Sequence, residues 1–331
     1  MKRGAFFWIF LWVLVHACTV NDAREPRKQY VHVFTDHLSH QDSLLFKKFF
    51  REEKIKVHVH HVQADSLLEL VKNGKYNSDV DLILLGDYAK IYQFSSRNLF
   101  LHVKSEVLEK NIDPVYRSRH GKWFALSKSA LVLAYNKKVL TKDTISGYYD
   151  LIHPKWAGKI AFQQPASPTL VAFNRNIRLL MKSDADTFLY RFYRQRNAPY
   201  VENDFRLLEK IKRQEAQLAL VKLSAVAEYQ LPGGKHFDRS RLDVSVIFPN
   251  QRKRGCYFTI TGGGVYRYAK NPMQAQKLLE FLSGKRAQYL FAEGRLEYPI
   301  LKDVEAHYLL KSYGKVRGRF YKNKRRSRSN R

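Results

Sequence analysis

Apolar positions change their period repeatedly along the chain, and the changes mark out strands alternating with helices. Tyr30 to Phe34 reads as a strand, followed by the loop Thr35-Asp36-His37-Leu38-Ser39-His40 and a helix carrying Leu44, Leu45, Phe46, Phe49 and Phe50. Lys54 to Val62 alternates as a second strand, and Asp65 is suited to cap a helix from Leu67 to Lys72. Val80 to Leu85 reads as a buried strand ending in Gly86-Asp87-Tyr88. Toward the end, Val244, Val246 and Phe248 alternate up to Pro249, and a strand from Tyr257 to Ile260 precedes Gly262, Gly263 and Gly264. Asn271-Pro272 then opens a helix that buries Ala275, Leu278 and Leu279, and a further helix stops at Glu297-Tyr298-Pro299. The pattern predicts an α/β architecture. In open α/β sheets ligands sit beyond the carboxyl ends of strands, which makes the loops after Phe34 and Leu85 candidate cleft walls.

The N-terminus changes the picture first. Lys2 and Arg3 precede an apolar run of 11 residues, Ala5 to Val15, and Val15-His16-Ala17 offers a small-residue cleavage context, so residues 1–17 read as a signal peptide of an exported protein. A membrane span needs roughly 20 apolar residues, more than this run supplies. Cys18 follows directly and is the candidate for acylation as a lipoprotein cysteine, although His16 departs from the usual small residue. If Cys18 is not acylated, it and Cys256 are the only pair available for a disulfide, and two cysteines so far apart form no metal-ligand spacing.

Without the signal segment 314 residues remain, more than one hydrophobic core usually organises, and a hydrophobic content of 45% suffices for two. Charge adds a separate feature: 59 Lys and Arg against 30 Asp and Glu give a net charge of +29. Ten of the basic residues lie between Lys311 and Arg331 with no acid among them, which reads as a solvated, disordered tail. The alternative function class is a polyanion- or surface-binding protein that uses this tail, but no zinc-finger spacing or aromatic RNA-binding strand accompanies it. No nucleophile elbow, P-loop or metal-hydrolase pattern is present either, so no enzyme is expected.

The closing segment, Val244 to Ile300, closely resembles the corresponding lobe of bacterial ferric-iron-binding proteins, the solute-binding components of ABC importers. The likeness extends through Trp123 to Ser127, through Val132-Leu133-Ala134-Tyr135-Asn136, which nearly fits the signature of family 1 solute-binding proteins, and through Pro154 to Ile160. It covers about residues 30 to 300. The resemblance implies a two-lobed periplasmic-binding-protein-like fold of type II with the ligand cleft between lobes. The expected division is 28–124 plus 251–297 for lobe 1 and 125–250 plus 298–312 for lobe 2, with crossings near Ala125 and Gln251 and the tail at 313–331. It also implies a periplasmic or extracytoplasmic monomer, lipid-anchored if Cys18 is acylated, that hands its cargo to an inner-membrane ABC permease after hinge closure.

The family's Fe(III) ligands are where the sequence departs. By resemblance the paired tyrosines fall at Ser224 and Ala225, on what reads as a strand from Gln217 to Ala225. The first-loop His or His-Tyr site falls at Leu38 and Ser39, the acidic ligand at Gly86, and a further tyrosine near Thr169. None is a phenolate or carboxylate, although Fe(III) as a hard cation takes such oxygens. Substitutes within a register shift are Asp36, His37, His40, Asp87, Tyr88 and Tyr229, with Tyr88 and Tyr229 as candidate metal ligands. His58, His60 and His61 read as surface residues. The anion side is better kept: Ser167-Pro168-Thr169 opens a helix whose N-terminus suits an anion. The family's synergistic anion binds at this helix end, and Asn203 aligns with a cleft asparagine. Lys222 stands where Asn is common in the family. A fixed cation there repels Fe(III), so the expected cargo is either Fe(III) or an anion such as a phosphate ester or phosphonate.

Overall fold

A computed structural model describes residues 29–37, 42–72, 79–233 and 238–319. Cys18, Ser39 and His40, together with residues 320–331 of the tail, lie outside the described residues. The strands are β1 (Tyr30–Thr35), β2 (Lys56–His61), β3 (Leu82–Leu85), β4 (Phe124–Asn136), β5 (Ile160–Gln163), β6 (Arg196–Val201), β7 (Leu218–Lys222), β8 (Val244–Ile247), β9 (Cys256–Val265), β10 (Tyr298–Pro299) and β11 (Gly318–Arg319). The helices are α1 (Asp42–Glu53), α2 (Ala64–Lys72), α3 (Tyr88–Ser96), α4 (Glu106–Asn111), α5 (Pro168–Met181), α6 (Ala185–Arg194), α7 (Asp204–Lys212), α8 (Leu223–Tyr229), α9 (Pro272–Ser283), α10 (Lys285–Arg295) and α11 (Tyr308–Ser312).

The strands order as β2-β1-β3-β9-β4-β7-β5-β6, with β8 and β10 also on β4 and β11 on β9. The βαβ units supply the parallel pairs, β1 with β2 and β3 in one half and β5 with β6 and β7 in the other. Strands β4 and β9 run antiparallel to one another and to β7 and β3 respectively, and join the halves, while the short β11 adds to β9 in parallel. Two hydrophobic cores result. One gathers Val31, Phe49, Ile83, Phe94, Phe124 and Phe291; the other gathers Leu133, Phe162, Phe173, Phe192, Leu220 and Tyr257. This is the two-lobed α/β fold. Core membership changes between Leu126 and Ala130 on β4 and between Phe258 and Ile260 on β9, a few residues inside long strands rather than at their starts. The reason is continuity: both strands keep their ladder through the crossover, with one bulge between Ala125 and Ser127.

Two local readings change. Gly262 to Gly264 do not follow a strand but complete β9, where all three are buried. A Cβ on Gly263 would lie 1.7 Å from the Ile83 carbonyl oxygen, and one on Gly262 would lie 2.2 Å from that of Phe124, so backbone approach on both sides demands glycine. Ser224 and Ala225 lie on the first turn of α8, because β7 ends at Lys222, still extended and paired with Leu131, and the helix begins at the next residue.

Candidate functional site

The loops after β1 and β3 meet at the carboxyl end of the first-lobe sheet. The Asp36 carboxylate accepts a hydrogen bond from Gly86 N–H at 2.9 Å and so ties the two loops together. Asp87 caps α3 through Ala89 N–H at 2.8 Å and is 5% exposed. Burial raises the pKa of both acids; the Gly86 amide, His37 and Lys222 oppose it at Asp36, and the Ala89 amide, Arg175 and Lys222 oppose it at Asp87. His37 reaches the buried Glu297 at 3.8 Å, and Ser127 donates to the other oxygen of Glu297. Burial pushes the Glu297 pKa up, but the His37 contact, Arg295 and the Ser127 hydroxyl outweigh it and hold the carboxyl at about 2.

The second lobe supplies the facing wall. Ser167 caps α5, its hydroxyl accepting from Leu170 N–H, and Pro168 occupies the first turn. Across the interface α3 packs on α5, where the Arg175 guanidinium lies 4.0 Å over the Tyr88 ring. Between the walls is a cavity of about 120 Å³ lined by Asp36, His37 and Asp87 on one side and by Ala166, Pro168 and Lys222 on the other. Gln63 and the ion pair of Lys90 with Asp65 stand at its edge.

Of the residues singled out in the sequence, Asp36, His37, Asp87 and Lys222 come together here, with the start of α5 at Ser167. Thr169 is buried behind that start at 2% exposure. Tyr88 is buried on the first turn of α3, its ring edge-on to Trp123 and beneath Arg175. Ser224 lies deeper, its backbone N–H donating to Ser129 Oγ at 3.2 Å. Two residues stand elsewhere. Asn203 is exposed and caps α7 through Arg206 N–H at 3.0 Å. Tyr229 donates its hydroxyl to Glu209 at 2.7 Å under Arg241, and burial with that acid pushes its pKa far up, so it is committed to second-lobe packing. Among the described residues no group of three or more His, Cys, Asp or Glu side chains is arranged to hold a metal ion.

Sequence reasoning missed Glu297, Arg175 and Asp204. Burial raises the Asp204 carboxyl to about 6, against the pull of Lys222, and Gln163 donates to it at 2.7 Å. Glu297 carried a weak signal, an acid just ahead of a Tyr-Pro turn. Arg175 carried none, because a basic residue within an amphipathic helix is ordinarily solvated.

A two-lobed fold with a polar cavity at the junction defines a solute-binding protein that closes over its ligand. Comparison with known proteins agrees. Residues 44–294 match the family model described as bacterial extracellular solute-binding protein, and the chain belongs to that family. The chain is 30% identical over 302 residues, 88% of itself and 81% of the relative, to iron uptake protein A1 of Synechocystis sp.. Among solved structures, a Trichodesmium protein in complex with iron and citrate superposes with a TM-score of 0.80 at 27% identity, covering 87% of this chain and 92% of that one. The ferric binding protein from Campylobacter jejuni gives a TM-score of 0.81 over 87% and 92% of the two chains; at 22% identity it speaks to the fold alone. Proteins of this family are the substrate-binding components of ABC importers, and these relatives are binding and transport proteins.

Proposed function

We propose that this chain captures a small anionic solute, a phosphate ester or phosphonate, outside the cytoplasm and delivers it to an ABC permease. The observation that carries the reading is Lys222. It lines the cavity together with Ala166 and Pro168 at the start of α5, at the end of the strand where the resemblance leads one to expect ferric-iron ligands. A helix N-terminus and a fixed cation both stabilise an anion and both oppose Fe(III). Ser224 and Ala225 offer no phenolate on the next turn, and the Tyr229 hydroxyl is already engaged with Glu209.

The protein works as a monomer without turnover. Ligand binds between the walls beside Lys222 and the start of α5, the lobes close by bending at β4 and β9, and the permease recognises the closed form. Acylation of Cys18 would tether it to the membrane.

A second reading has its own support. Asp36 and Asp87 are hard oxygen donors on one cavity wall, and relatives at 30% and 27% identity are named for iron or were solved with it. A thermal-shift screen of the mature protein against phosphate esters, phosphonates and Fe(III) with citrate separates the two. A ligand at 100 times its Kd stabilises the folded state by about 2.7 kcal/mol. Stabilisation by a phosphorylated compound is expected; stabilisation by Fe(III) with citrate, with none by any phosphorylated compound, would reject the anion reading in favour of iron.

A further inference from the structure

Away from the cleft, helix α1 and strand β2 form a second surface on the first lobe, at the edge of its sheet. Between them runs an open groove of about 700 Å³ lined by Phe46, Phe50, Val57 and Val59, with Lys47, Arg51 and Lys56 around it. Phe50 is 48% exposed, and Leu44 on the same helix is 51% exposed.

The charges of α1 separate by partner. Asp42 pairs with Arg295 at 2.6 Å, Glu52 with Arg286 at 2.9 Å and Glu53 with Lys277 at 2.9 Å, so α9 and α10 hold the acids of this helix. Among the described residues Lys47, Arg51 and Lys56 are in no ion pair, and no acid lines the groove. Exposed apolar side chains bordered by unpaired cations suit the boundary of an anionic bilayer, where rings enter the apolar layer and ammonium and guanidinium groups meet lipid phosphates.

The course of the chain favours a bilayer over an acidic protein. The carbonyl of Gln29 accepts from Lys56 N–H at 2.9 Å, so the N-terminal segment joins the fold at the groove's basic rim. Ten residues separate Gln29 from Cys18, a reach of at most about 35 Å. A lipid on Cys18 would hold the groove within that distance of a membrane, and a tethered surface meets its partner at a high effective concentration.

We propose that the α1–β2 groove is a docking surface for an anionic bilayer, with Phe50 entering the boundary between headgroups and acyl chains and Lys47, Arg51 and Lys56 on the lipid phosphates. This surface acts independently of the cargo in the cleft.

The test uses the mature full-length chain carrying Cys18→Ser, which removes any lipid, and vesicles of phosphatidylcholine with or without phosphatidylglycerol. Binding is expected to the phosphatidylglycerol vesicles and to weaken as salt is raised. Phe50→Ser leaves the net charge and the basic tail unaltered and should lower the partition coefficient about tenfold. Lys47→Gln should lower it about fivefold. Unchanged partitioning of Phe50→Ser would assign the binding to the tail and overturn the proposal, as would equal binding to both kinds of vesicle or to neither. A second measurement does not depend on how the serine variant folds: an environment-sensitive dye attached through Phe50→Cys, with Cys256 buried, should shift to the blue on phosphatidylglycerol vesicles and not on soluble polyglutamate. No shift on the vesicles would overturn the proposal, and an equal shift on polyglutamate would overturn it in favour of an acidic protein partner.

Discussion

Strand β9 and the turn from β7 into α8 both border β4, yet their sequences are constrained by different things. In β9 the neighbours are backbone: the carbonyls of Ile83, Phe124 and Lys122 crowd the three glycines, so no side chain fits. At the β7–α8 turn the neighbours are side chains and space, with Lys222 facing the cavity and Ser224 against Ser129. The first region builds the join between lobes and tolerates no change. The second faces the ligand and accommodates Lys, Ser and Ala at positions where the resemblance leads one to expect Asn and two tyrosines. A scaffold held by main-chain contacts is what lets the cargo chemistry differ without loss of the fold.

The largest effect should come from placing a methyl group in the rigid region. Gly263→Ala would bring a Cβ to 1.7 Å from the Ile83 oxygen and should cost more than about 4 kcal/mol in urea unfolding, or abolish soluble expression. Wild-type stability in that variant would break the comparison. Glu297 is next. Its carboxyl is held at about 2 against an ordinary 4.5, so the ionised form contributes about 3 kcal/mol at neutral pH. That contribution is complete above the ordinary value and is lost as pH falls toward 2; Glu297→Gln should lower stability at pH 7 and flatten the acid limb of a stability–pH curve.

On the adaptable side, Lys222→Met should leave the fold intact and weaken phosphate-ester or phosphonate binding about 100-fold, close to 2.7 kcal/mol by calorimetry. An unchanged Kd would remove the cavity lysine from the anion wall. The smallest effect is expected at Asp204, whose carboxyl is raised to about 6. A raised acid destabilises the fold above its folded value and not below its unfolded one. Asp204→Asn should therefore add about 1 kcal/mol above pH 6, after allowance for partial exposure, and the gain should fade by pH 4.

Much of the scaffold was legible because burial imposes a period. Val31, Val33, Leu82 and Leu84 face one core, and the Ser-Pro start of α5 announces its own cap. Asp36 and Asp87 were legible as loop acids after strands. Their partnership was not, since the amide that ties Asp36 in place belongs to Gly86, fifty residues on. The same distance effect hid Glu297, which meets Ser127 across 170 residues. The glycine run was read as a strand's end because periodicity registers side chains, and β9 is selected there by atoms of the main chain. Tyr229 failed as a cleft candidate for a complementary reason: a phenol beside Glu209 and Arg241 satisfies itself locally, and nothing in its own segment announces those partners.

The position of β9 also sets an order of events for the nascent chain. Lobe 1 begins at Tyr30, but its sheet is complete only when β9, more than two hundred residues later, slots between β3 and β4. Most of lobe 2 is built from the continuous stretch between those points, with far shorter loops to close. The strands made first are thus among the last to be sealed, and refolding should run at the pace of that long-range insertion rather than of helix formation. Until then β3 presents an open edge, and the first lobe stays unfinished.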